Sequence, residues 1–580
     1  MIHDNTPHMN FQEANMKTKY MNRSALIFCM LLIVALFTIA PSAAYAEDAE
    51  SVAAEINTYG NGGGTGTPLS ASVGDENVVT VTGSVKDANI RLIVFPDPDV
   101  TIIWSAALVG ATSNNQLQED ALVYIAGMGA FEMLDGQIEQ NGLDNALTTA
   151  GDVLIIRSSI SATSGRAIYA EGNIEAVGSM ISADGPEGRA IVLTRKGFAM
   201  EGGRIDAKTG SAVFAATDIR IDAGEISTEA GTALTAFNGN VSLSGGTINA
   251  INGTTIEARA VFVNSGSQVA IINAGSEPAI RITGLGSVWI SDGDLFVAGD
   301  IVSGGNGINA DPGAKVIVNG AIRADSYGIV GQYNSSITVN GSISAGADGV
   351  NASSCIVNIS GDINSGNVGV STTDSAFVRV TGSVKSSNFG VYASAGSTVH
   401  IHGNVESENN NFGSSPPPGY IGIIAGEATV YCDHSTVKIT GNVISQKIGV
   451  YGVNRAEVVV GREIQVAETY IRFCDYDNIG NEITILAISG NTPTSKPGYK
   501  EYTDGSCFVW VKDSAATGDV TGDGKIDMQD VLLIYQCFRG RITLSMEQLQ
   551  AADVNRDGVV DMQDVLLVYQ YFRGRIDGFV

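Results

Sequence analysis

Oxygen-bearing side chains recur at a fixed spacing near the C-terminal end of the chain. They occupy positions 1, 3, 5, 9 and 12 of two runs, and Gly524 or Gly558 follows position 5. The first run is Asp519, Thr521, Asp523, Asp527 and Asp530, and the second is Asp553, Asn555, Asp557, Asp561 and Asp564. Calcium prefers roughly six to eight oxygen ligands, and a sharp turn after position 5 aims these side chains at one point. We therefore predict two calcium ions, to which Lys525 and Val559 at position 7 add backbone carbonyls.

A sixteen-residue segment is written twice in this region. Asp527 to Ile542 and Asp561 to Ile576 differ at only two positions, and the offset between them is 34 residues throughout. So much identity at one offset indicates an internal duplication. Each copy continues from its loop into an apolar stretch that predicts a helix directly after the loop. The stretch before each loop is too short and too polar to predict a full entering helix.

The loop spacing is that of an EF-hand, except that position 12 is aspartate instead of glutamate. With the duplication and the helix after each loop, the segment Gly518–Val580 resembles a type I dockerin domain. The resemblance implies calcium-dependent docking onto a cohesin domain of a scaffoldin or surface protein, in a cellulosome-like complex. It also implies that loop positions 10 and 11 read the partner. These positions hold Met528 and Gln529 in the first copy, and Met562 and Gln563 in the second.

Arginines recur near the end of each predicted helix. They are Arg539, Arg541, Arg573 and Arg575. One interpretation is a charged rim around the partner-binding surface. The other is that the cations offset the negative end of the helix dipole, and the sequence does not choose between the two.

The charge balance argues against one class of partner. The chain has 33 basic and 61 acidic residues, which gives a net charge of -28. Nucleic acid binding depends on basic patches that neutralise phosphates, so we expect no nucleic acid partner. At 580 residues the chain is also too long for one ordinary core, so we expect several domains or one elongated repeat.

The N-terminal residues 1–46 have the pattern of an upstream extension and a secretory signal peptide. Basic residues from Lys17 to Arg23 precede the apolar run Ala25–Ala40, and the small-residue site Ala44–Ala46 follows. The run is short for a membrane span, although an uncleaved anchor remains the alternative. We expect a secreted protein, extracellular or in a cell-surface complex, with no membrane contact after cleavage.

The long middle of the chain repeats. Glycines spaced by 20 or 21 residues are Gly299, Gly320, Gly341, Gly361, Gly382 and Gly403. Between them β-branched residues alternate with polar or small ones, which is the pattern of strands. A period of this length predicts a β-solenoid. It resembles a right-handed parallel β-helix of the pectate-lyase-like kind, and each glycine should mark a corner that a side chain would obstruct.

These patterns predict the domain organisation of a mainly β protein. Residues 47–77, which include a glycine-rich run, are predicted as a flexible lead-in, and residues 78–466 as the solenoid. Residues 467–517 are predicted as capping strands and linker, with antiparallel strands over Glu482–Ser489 and Cys507–Lys512. Residues 518–580 form the predicted α-helical, calcium-binding dockerin.

Three histidines follow the predicted signal peptide, and all lie between residues 400 and 434. By register, His400 shares one outward column with Arg379 and Lys438, beside the proline-rich insertion Asn409–Gly419. His400, His402 and Lys438 are therefore the candidate catalytic residues. A basic strip here could also grip an acidic sugar, and the plainer interpretation is an ordinary solvated face.

Two functions of different class follow. In the first, the dockerin attaches a non-catalytic solenoid that acts as spacer, adhesin or carbohydrate-contacting surface in polysaccharide degradation. In the second, the solenoid is a polysaccharide lyase or glycoside hydrolase carried on the dockerin. Sparse charge on the regular coils favours the first, because glycoside hydrolysis depends on clustered carboxylates.

Overall fold

A parallel β-solenoid of about 17 turns, spanning residues 78–474, dominates the computed structural model. The structure describes residues 46–113, 120–185, 188–273, 277–283, 285–408, 428–474, 483–485, 494–496, 499–512, 517–523, 525–555, 557–576 and 579. Strands form 51% of the protein and helices 9%. The predicted mainly β solenoid with a small helical domain at the C-terminus is therefore confirmed.

The helices are α1 Ala49–Tyr59, α2 Met528–Phe538, α3 Met546–Ala552 and α4 Met562–Phe572, with a short 3-10 turn at Asp75–Asn77. The first strands are β1 Thr65–Val73, β2 Val78–Ala88, β3 Leu92–Val94, β4 Thr101–Trp104, β5 Ala107–Gly110, β6 Ala121–Ile125, β7 Ala130–Leu134, β8 Gln137–Gln140, β9 Asn145–Thr149, β10 Val153–Ile156, β11 Ser159–Ala162, β12 Ile168–Ala170, β13 Ile174–Ala183, β14 Ile191–Leu193, β15 Phe198–Thr209 and β16 Val213–Ala215. The next are β17 Ile219–Ala230, β18 Leu234–Ala236, β19 Val241–Asn252, β20 Ile256–Ala258, β21 Val261–Asn273, β22 Ile280–Ile282, β23 Val288–Ile290, β24 Asp294–Ala298, β25 Ile301–Ser303, β26 Ile308–Ala310, β27 Lys315–Val318, β28 Ile322–Ala324, β29 Ile329–Gly331, β30 Ser336–Val339, β31 Ile343–Ala345, β32 Val350–Ser353 and β33 Ile356–Ile359. The last are β34 Ile363–Ser365, β35 Val370–Thr373, β36 Phe377–Val380, β37 Val384–Ser386, β38 Val391–Ala393, β39 Thr398–Ile401, β40 Val405–Ser407, β41 Ala428–Asp433, β42 Thr436–Ile439, β43 Val443–Ser445, β44 Ile448–Val453, β45 Glu457–Val460, β46 Ile464–Val466, β47 Thr469–Cys474, β48 Ile483–Ile485, β49 Tyr499–Thr503 and β50 Phe508–Lys512.

Each regular coil adds one strand to each of three parallel ladders. In one ladder, Ile322, Ile343 and Ile363 stand in register in successive coils, and all three side chains are fully buried. The residues between the inward positions face outward, because successive side chains of a strand point to opposite faces. The inward columns form one continuous apolar core along the stack.

The corner glycines are required by close contact between coils. A Cβ atom added to Gly320 would lie 2.2 Å from the carbonyl oxygen of Gly299, and one added to Gly341 would lie 2.2 Å from that of Gly320. Real Cβ atoms do not approach backbone so closely, so a side chain at either corner would push two coils apart. This confirms the predicted reason for the glycine period.

The N-terminal end of the solenoid is capped by ordered structure, so the prediction of a flexible lead-in over residues 47–77 is wrong. Helix α1 begins after Asp48, whose side chain accepts a hydrogen bond from the Ser51 backbone N–H at 2.9 Å. Its apolar residues at helical spacing are Ala49, Val52, Ala53 and Ile56, which are buried in the solenoid core. Strand β1 then pairs antiparallel with β2 and covers the edge of the first coil.

Antiparallel strands close the C-terminal end, as the sequence predicts. Strand β48 pairs antiparallel with β47, and β49 pairs antiparallel with β50. Strand β50 also pairs in parallel with β45 and so continues the stack by one rung. The last regular coil reaches β47, beyond the predicted boundary at residue 466, because Thr469–Cys474 is in register with β44.

The helices of the described residues are all too short or too polar to cross a lipid bilayer. The predicted signal peptide lies outside the described residues, apart from Ala46. The insertion Asn409–Gly419 also lies outside them.

Candidate functional site

Helices α2 and α4 carry the duplicated segment, and each begins at loop position 10, directly after its N-cap residue at position 9. Asp527 caps α2 by accepting a hydrogen bond from the Gln529 N–H at 2.7 Å, and Asp561 caps α4 in the same way at 2.6 Å. In return, Asp530 and Asp564 accept hydrogen bonds from the capping residues' own N–H groups, both at 2.9 Å. This reciprocal capping box begins each helix, and it confirms the prediction of a helix directly after each loop.

A further helix, α3, precedes the second loop and was not predicted. Its own capping box joins Ser545 and Gln548, and the helix ends where the second loop starts. Ala551 and Ala552 are buried beside Val520 of the first loop in the core of this domain. Its two small buried residues are a weak signal in the sequence.

The first loop is arranged around two buried carboxylates. Asp530 is fully buried, and its Oδ1 accepts a hydrogen bond from the Thr521 N–H at 2.8 Å. Asp519 is 2% exposed and accepts from the Gly522 N–H at 2.8 Å and from the Thr521 hydroxyl at 3.1 Å. Asp523 is exposed and accepts from the Lys525 N–H at 2.9 Å. Position 12 therefore links the start of the loop to the start of the helix.

The second loop repeats the plan with different partners. Asp564 is fully buried, and its Oδ1 accepts from the Val554 N–H at 2.9 Å. Asp553 accepts from the N–H groups of Asp557 and Gly558, at 3.1 and 2.9 Å. Asn555 donates through Nδ2 to Asp557 at 2.9 Å. The amide of Asn555 thus stands where the first loop has the hydroxyl of Thr521.

The chemistry of both loops fits calcium. The donor set consists of oxygens alone, which is what a hard cation prefers. Asp530 and Asp564 are fully buried carboxylates held by backbone N–H groups, and the described residues place no cationic side chain on them. Buried charge without a counter-charge is costly, so a cation would relieve that cost.

Within the described residues no three acidic, histidine or cysteine side chains are already grouped as metal ligands. The side chains of Lys525 and Val559 are exposed and carry no oxygen, so only their backbone carbonyls could serve as ligands.

The outer faces of α2 and α4 are exposed and apolar at equivalent positions. Met528 is 49% exposed and Met562 50%, and Gln529 and Gln563 are exposed beside them. The opposite faces pack together in a core that includes Val531, Ile534, Val565 and Val568. The predicted partner-reading residues are therefore accessible on both helices.

Two leucines extend these faces and were missed from the sequence. Leu532 and Leu566 are each 51% exposed, one helical turn beyond Met528 and Met562. Side chains four residues apart on a helix are neighbours on one face. That spacing is the signal that could have identified them. We call the pair of Met528 and Leu532 the α2 face, and the pair of Met562 and Leu566 the α4 face.

The four arginines lie at the ends of these helices and are exposed. Arg539 is the C-cap residue of α2 and Arg573 that of α4. Arg541 and Arg575 follow two residues later, outside the helices. Cations just past the last turn suit the negative end of the helix dipole. The same exposure suits a charged rim, so both interpretations stand.

On the solenoid, the register brings the predicted basic strip together. Arg379, His400 and Lys438 are in register on β36, β39 and β42 and point outward. The Phe377 ring meets the His400 ring edge-on, with 5.5 Å between ring centres. Partial burial, followed by the nearby cations Lys438, His402 and Arg379, lowers the pKa of His400 below its ordinary value.

His402 lies just beyond the end of β39, and its Nδ1 is 3.3 Å from the carbonyl oxygen of Val380. The outward column itself contains Asn358, Arg379, His400, Lys438 and Val459 in successive coils. General acid and base catalysis on glycosides uses a pair of carboxylates across the bond. The structure thus places His400 and Lys438 side by side in this column and His402 two residues after His400, and these five members of the column include no carboxylate.

Residues 517–573 match the family model described as the dockerin type I domain. A search of curated proteins and a search of solved structures each found no match to the chain. Domains of this family bind calcium. Such a domain implies docking onto a cohesin in a cellulosome-like complex, and the proteins that carry it are typically extracellular. The chain is therefore a β-solenoid protein with a type I dockerin domain at its C-terminus.

Proposed function

We propose that this is a secreted protein whose dockerin, with one calcium ion in each loop, binds a cohesin and attaches a non-catalytic solenoid to a complex that degrades polysaccharides. The observation that carries the proposal is the duplicated loop and capped helix within the family match. In this proposal the solenoid is the cargo. It serves as spacer, adhesin or carbohydrate-contacting surface.

Calcium is proposed to stabilise the docking helices through the position-12 aspartates. Asp530 joins the Thr521 N–H of the loop to the Asp527 N–H that starts α2. A cation held by this loop would therefore stiffen the beginning of the helix that presents Met528. Asp564 has the same place before Met562. Cohesin binding should depend on calcium because the ion and the docking face share these residues.

Equivalent exposed residues on the two helices support two alternative docking faces. The α2 face and the α4 face have the same residue types and nearly equal exposure. Methionine adapts its shape to a partner, and the adjacent glutamines can orient that partner by hydrogen bonding. We propose that either face binds a cohesin.

A non-catalytic solenoid is favoured by the composition of the basic strip. Arg379, His400 and Lys438 share one outward column, which suits contact with a ligand better than hydrolysis by paired carboxylates. A reducing-sugar and unsaturated-product assay on a polysaccharide panel tests this. Activity that disappears in His400→Ala, His402→Ala or Lys438→Ala would overturn the proposal and favour a lyase or hydrolase.

The docking proposal is tested by calorimetry of the full chain against a panel of type I cohesin domains. Met528→Glu with Leu532→Glu removes the α2 face, and Met562→Glu with Leu566→Glu removes the α4 face. We expect each double variant to retain binding through the other face. The quadruple variant should lose at least about tenfold in affinity, since buried anchors dominate interfaces.

The control variant is Leu549→Glu, which places the same charge at an apolar position of α3 that is 38% exposed and outside both faces. It should bind like the unmodified chain. Unchanged binding of the quadruple variant would contradict the docking faces, and unchanged binding in chelator would contradict the calcium dependence.

A further inference from the structure

A groove of about 560 Å³ runs along the outer surface of the first coils. Its lining comprises Gly83, Ser105–Ala107, Asp135–Gln137, Arg157–Ser159, Gly178 and Met180. These residues belong to five successive coils, from β2 to β13. At about 4.8 Å per coil the groove is roughly 20 Å long. Its volume is in the range of ligand sites, roughly 300 to 1,000 Å³.

The groove arises from a bend in each of these coils. Asp135, Arg157 and Gly178 occupy the bend in successive coils, and all have positive φ angles of 50°, 46° and 57°. Beyond the bend, Ser159 and Met180 are in register on the next face. A Cβ atom added to Gly178 would meet nothing within 4 Å. The column of side chains at the bend therefore stops at Gly178 and leaves the groove open there.

The charged groups of the groove neutralise each other. Arg157 donates to Asp135 through Nε at 2.9 Å and through Nη2 at 2.7 Å, and both side chains are more than 60% exposed. The hydrogen bond from Arg157 lowers the pKa of Asp135, which keeps that carboxyl ionised. A neutral ion pair favours neither an anionic nor a cationic ligand. It still offers a planar array of donors and acceptors at the surface.

The remaining walls are polar on one side and apolar on another. Gln137 and Ser159 supply an amide and a hydroxyl, and Met180 is an apolar side chain that is 62% exposed. Sugar rings present hydroxyl groups at their edges and C–H groups on their faces. A chain of such rings would match hydrogen-bonding groups along the groove and an apolar contact at Met180.

We propose that this groove binds a linear, uncharged polysaccharide chain lying along the axis of the stack. The inference rests on the proposed role of the solenoid as a carbohydrate-contacting surface, and it names the place and the class of sugar. It does not depend on cohesin docking. The basic strip at His400 is a separate surface formed by later coils.

The test measures binding of the full chain to cellohexaose, xylohexaose and mannohexaose by calorimetry, with hexagalacturonate as the charged counterpart. Ser159→Trp fills the groove from an outward strand position that tolerates aromatic residues. Thr247→Trp is the matched control, because Thr247 belongs to the same outward column but lies outside the groove. Arg157→Asn removes the ion pair, and asparagine accepts the positive φ of this position.

We expect at least one neutral hexasaccharide to bind more tightly than hexagalacturonate. Ser159→Trp should weaken that binding at least about tenfold and Arg157→Asn roughly tenfold, while Thr247→Trp changes it less than about twofold. Equal losses in both tryptophan variants, or none in Ser159→Trp, would overturn the groove as the site. Tighter binding of hexagalacturonate would overturn the uncharged class. Absence of binding to all four sugars would overturn the inference, while retained cohesin binding would leave the docking function intact.

Discussion

At the scale of single residues, the position-12 aspartates join each predicted calcium loop to the helix that follows it. Asp530 and Asp564 are fully buried, and each accepts backbone hydrogen bonds with both carboxylate oxygens. Their spacing predicts them as calcium ligands. Their second role, holding the loop against the start of the helix, depends on which N–H groups the folded loop brings within reach.

Asp530→Asn should destabilise the dockerin even in chelator. An asparagine keeps one acceptor oxygen, so either the Thr521 or the Asp527 N–H is left facing an NH₂ group. An unsatisfied buried N–H costs about 1 to 3 kcal/mol. Scanning calorimetry of the full chain should show a lower transition temperature for this domain.

Asp523→Asn is the control for that prediction. Asp523 is exposed and accepts only the Lys525 N–H among the described hydrogen bonds. An asparagine oxygen can replace that bond, so in chelator the domain should melt as before. Equal losses in the two variants would contradict the proposed role of Asp530.

The pKa of His400 should respond to the charge of its neighbours in the basic strip. Lys438→Gln removes one of the cations that lower the pKa of His400, so we expect this pKa to rise. Histidine NMR titration of the full chain measures it. Lys385→Gln, which removes a cation from another ladder, should leave it unchanged, and a pKa that is identical in both variants would contradict the strip.

The lowered pKa of His400 also predicts how the free energy of unfolding depends on pH. Because burial lowers the pKa of His400 in the folded chain, the unfolded chain binds more protons at a given acidic pH. The contribution of neutral His400 to the free energy of unfolding is complete above the unfolded pKa of about 6.5. It is lost as the pH falls through the folded pKa. Denaturant unfolding at a series of pH values should show a smaller loss for His400→Gln than for the unmodified chain.

At the scale of elements, strands and helices in this protein are positioned by backbone contacts as much as by side chains. The corner glycines bring one coil against the next, and the capped loops start α2 and α4. Both features were predictable, because glycine spacing and EF-hand spacing are periodic. Helix α1 was not predicted, since a neighbouring glycine-rich run concealed an eleven-residue amphipathic segment that buries four residues.

Gly349→Ala should destabilise the solenoid by about 1 to 3 kcal/mol, the usual cost of overpacking. The added Cβ would lie 2.3 Å from Cγ2 of Ile363 and 2.6 Å from the carbonyl oxygen of Gly369. Denaturant unfolding monitored by tryptophan fluorescence measures the effect. Gly74→Ala is the matched control, because the nearest atom to its added Cβ is 3.8 Å away, and an equal loss there would contradict the packing argument.

At the scale of the whole molecule, the described residues form a long solenoid core and a separate dockerin core, and a small aromatic cluster around Phe389 and Tyr431 lies on the solenoid. The solenoid core runs from Ala49 to Val511, and the dockerin core from Val520 to Val568 with Phe579 packed against it. No residue belongs to both. Calcium is expected to act on the second core alone, because both loops belong to it.

Removal of calcium should therefore lower one thermal transition and leave the other unchanged. A ligand present at a hundred times its Kd stabilises by about 2.7 kcal/mol per site. Scanning calorimetry with EDTA should shift the small helical transition downward and leave the large solenoid transition unmoved. Calcium added back should restore it, and a chelator-sensitive solenoid transition would contradict the separation of the two cores.

Most of what could be predicted about this chain follows from the periodicity of its sequence. The solenoid, its glycine corners, the spacing of the two predicted calcium loops, the helices behind them and the Arg379–His400–Lys438 register all depend on short repeats, in which neighbours along the chain determine neighbours in space. Other features join residues that are distant in sequence and follow no period. The cap formed by α1, the backbone N–H partners of Asp530 and the groove at Asp135 and Arg157 were decided by tertiary packing, because burial and concavity depend on which surfaces the folded coils leave uncovered.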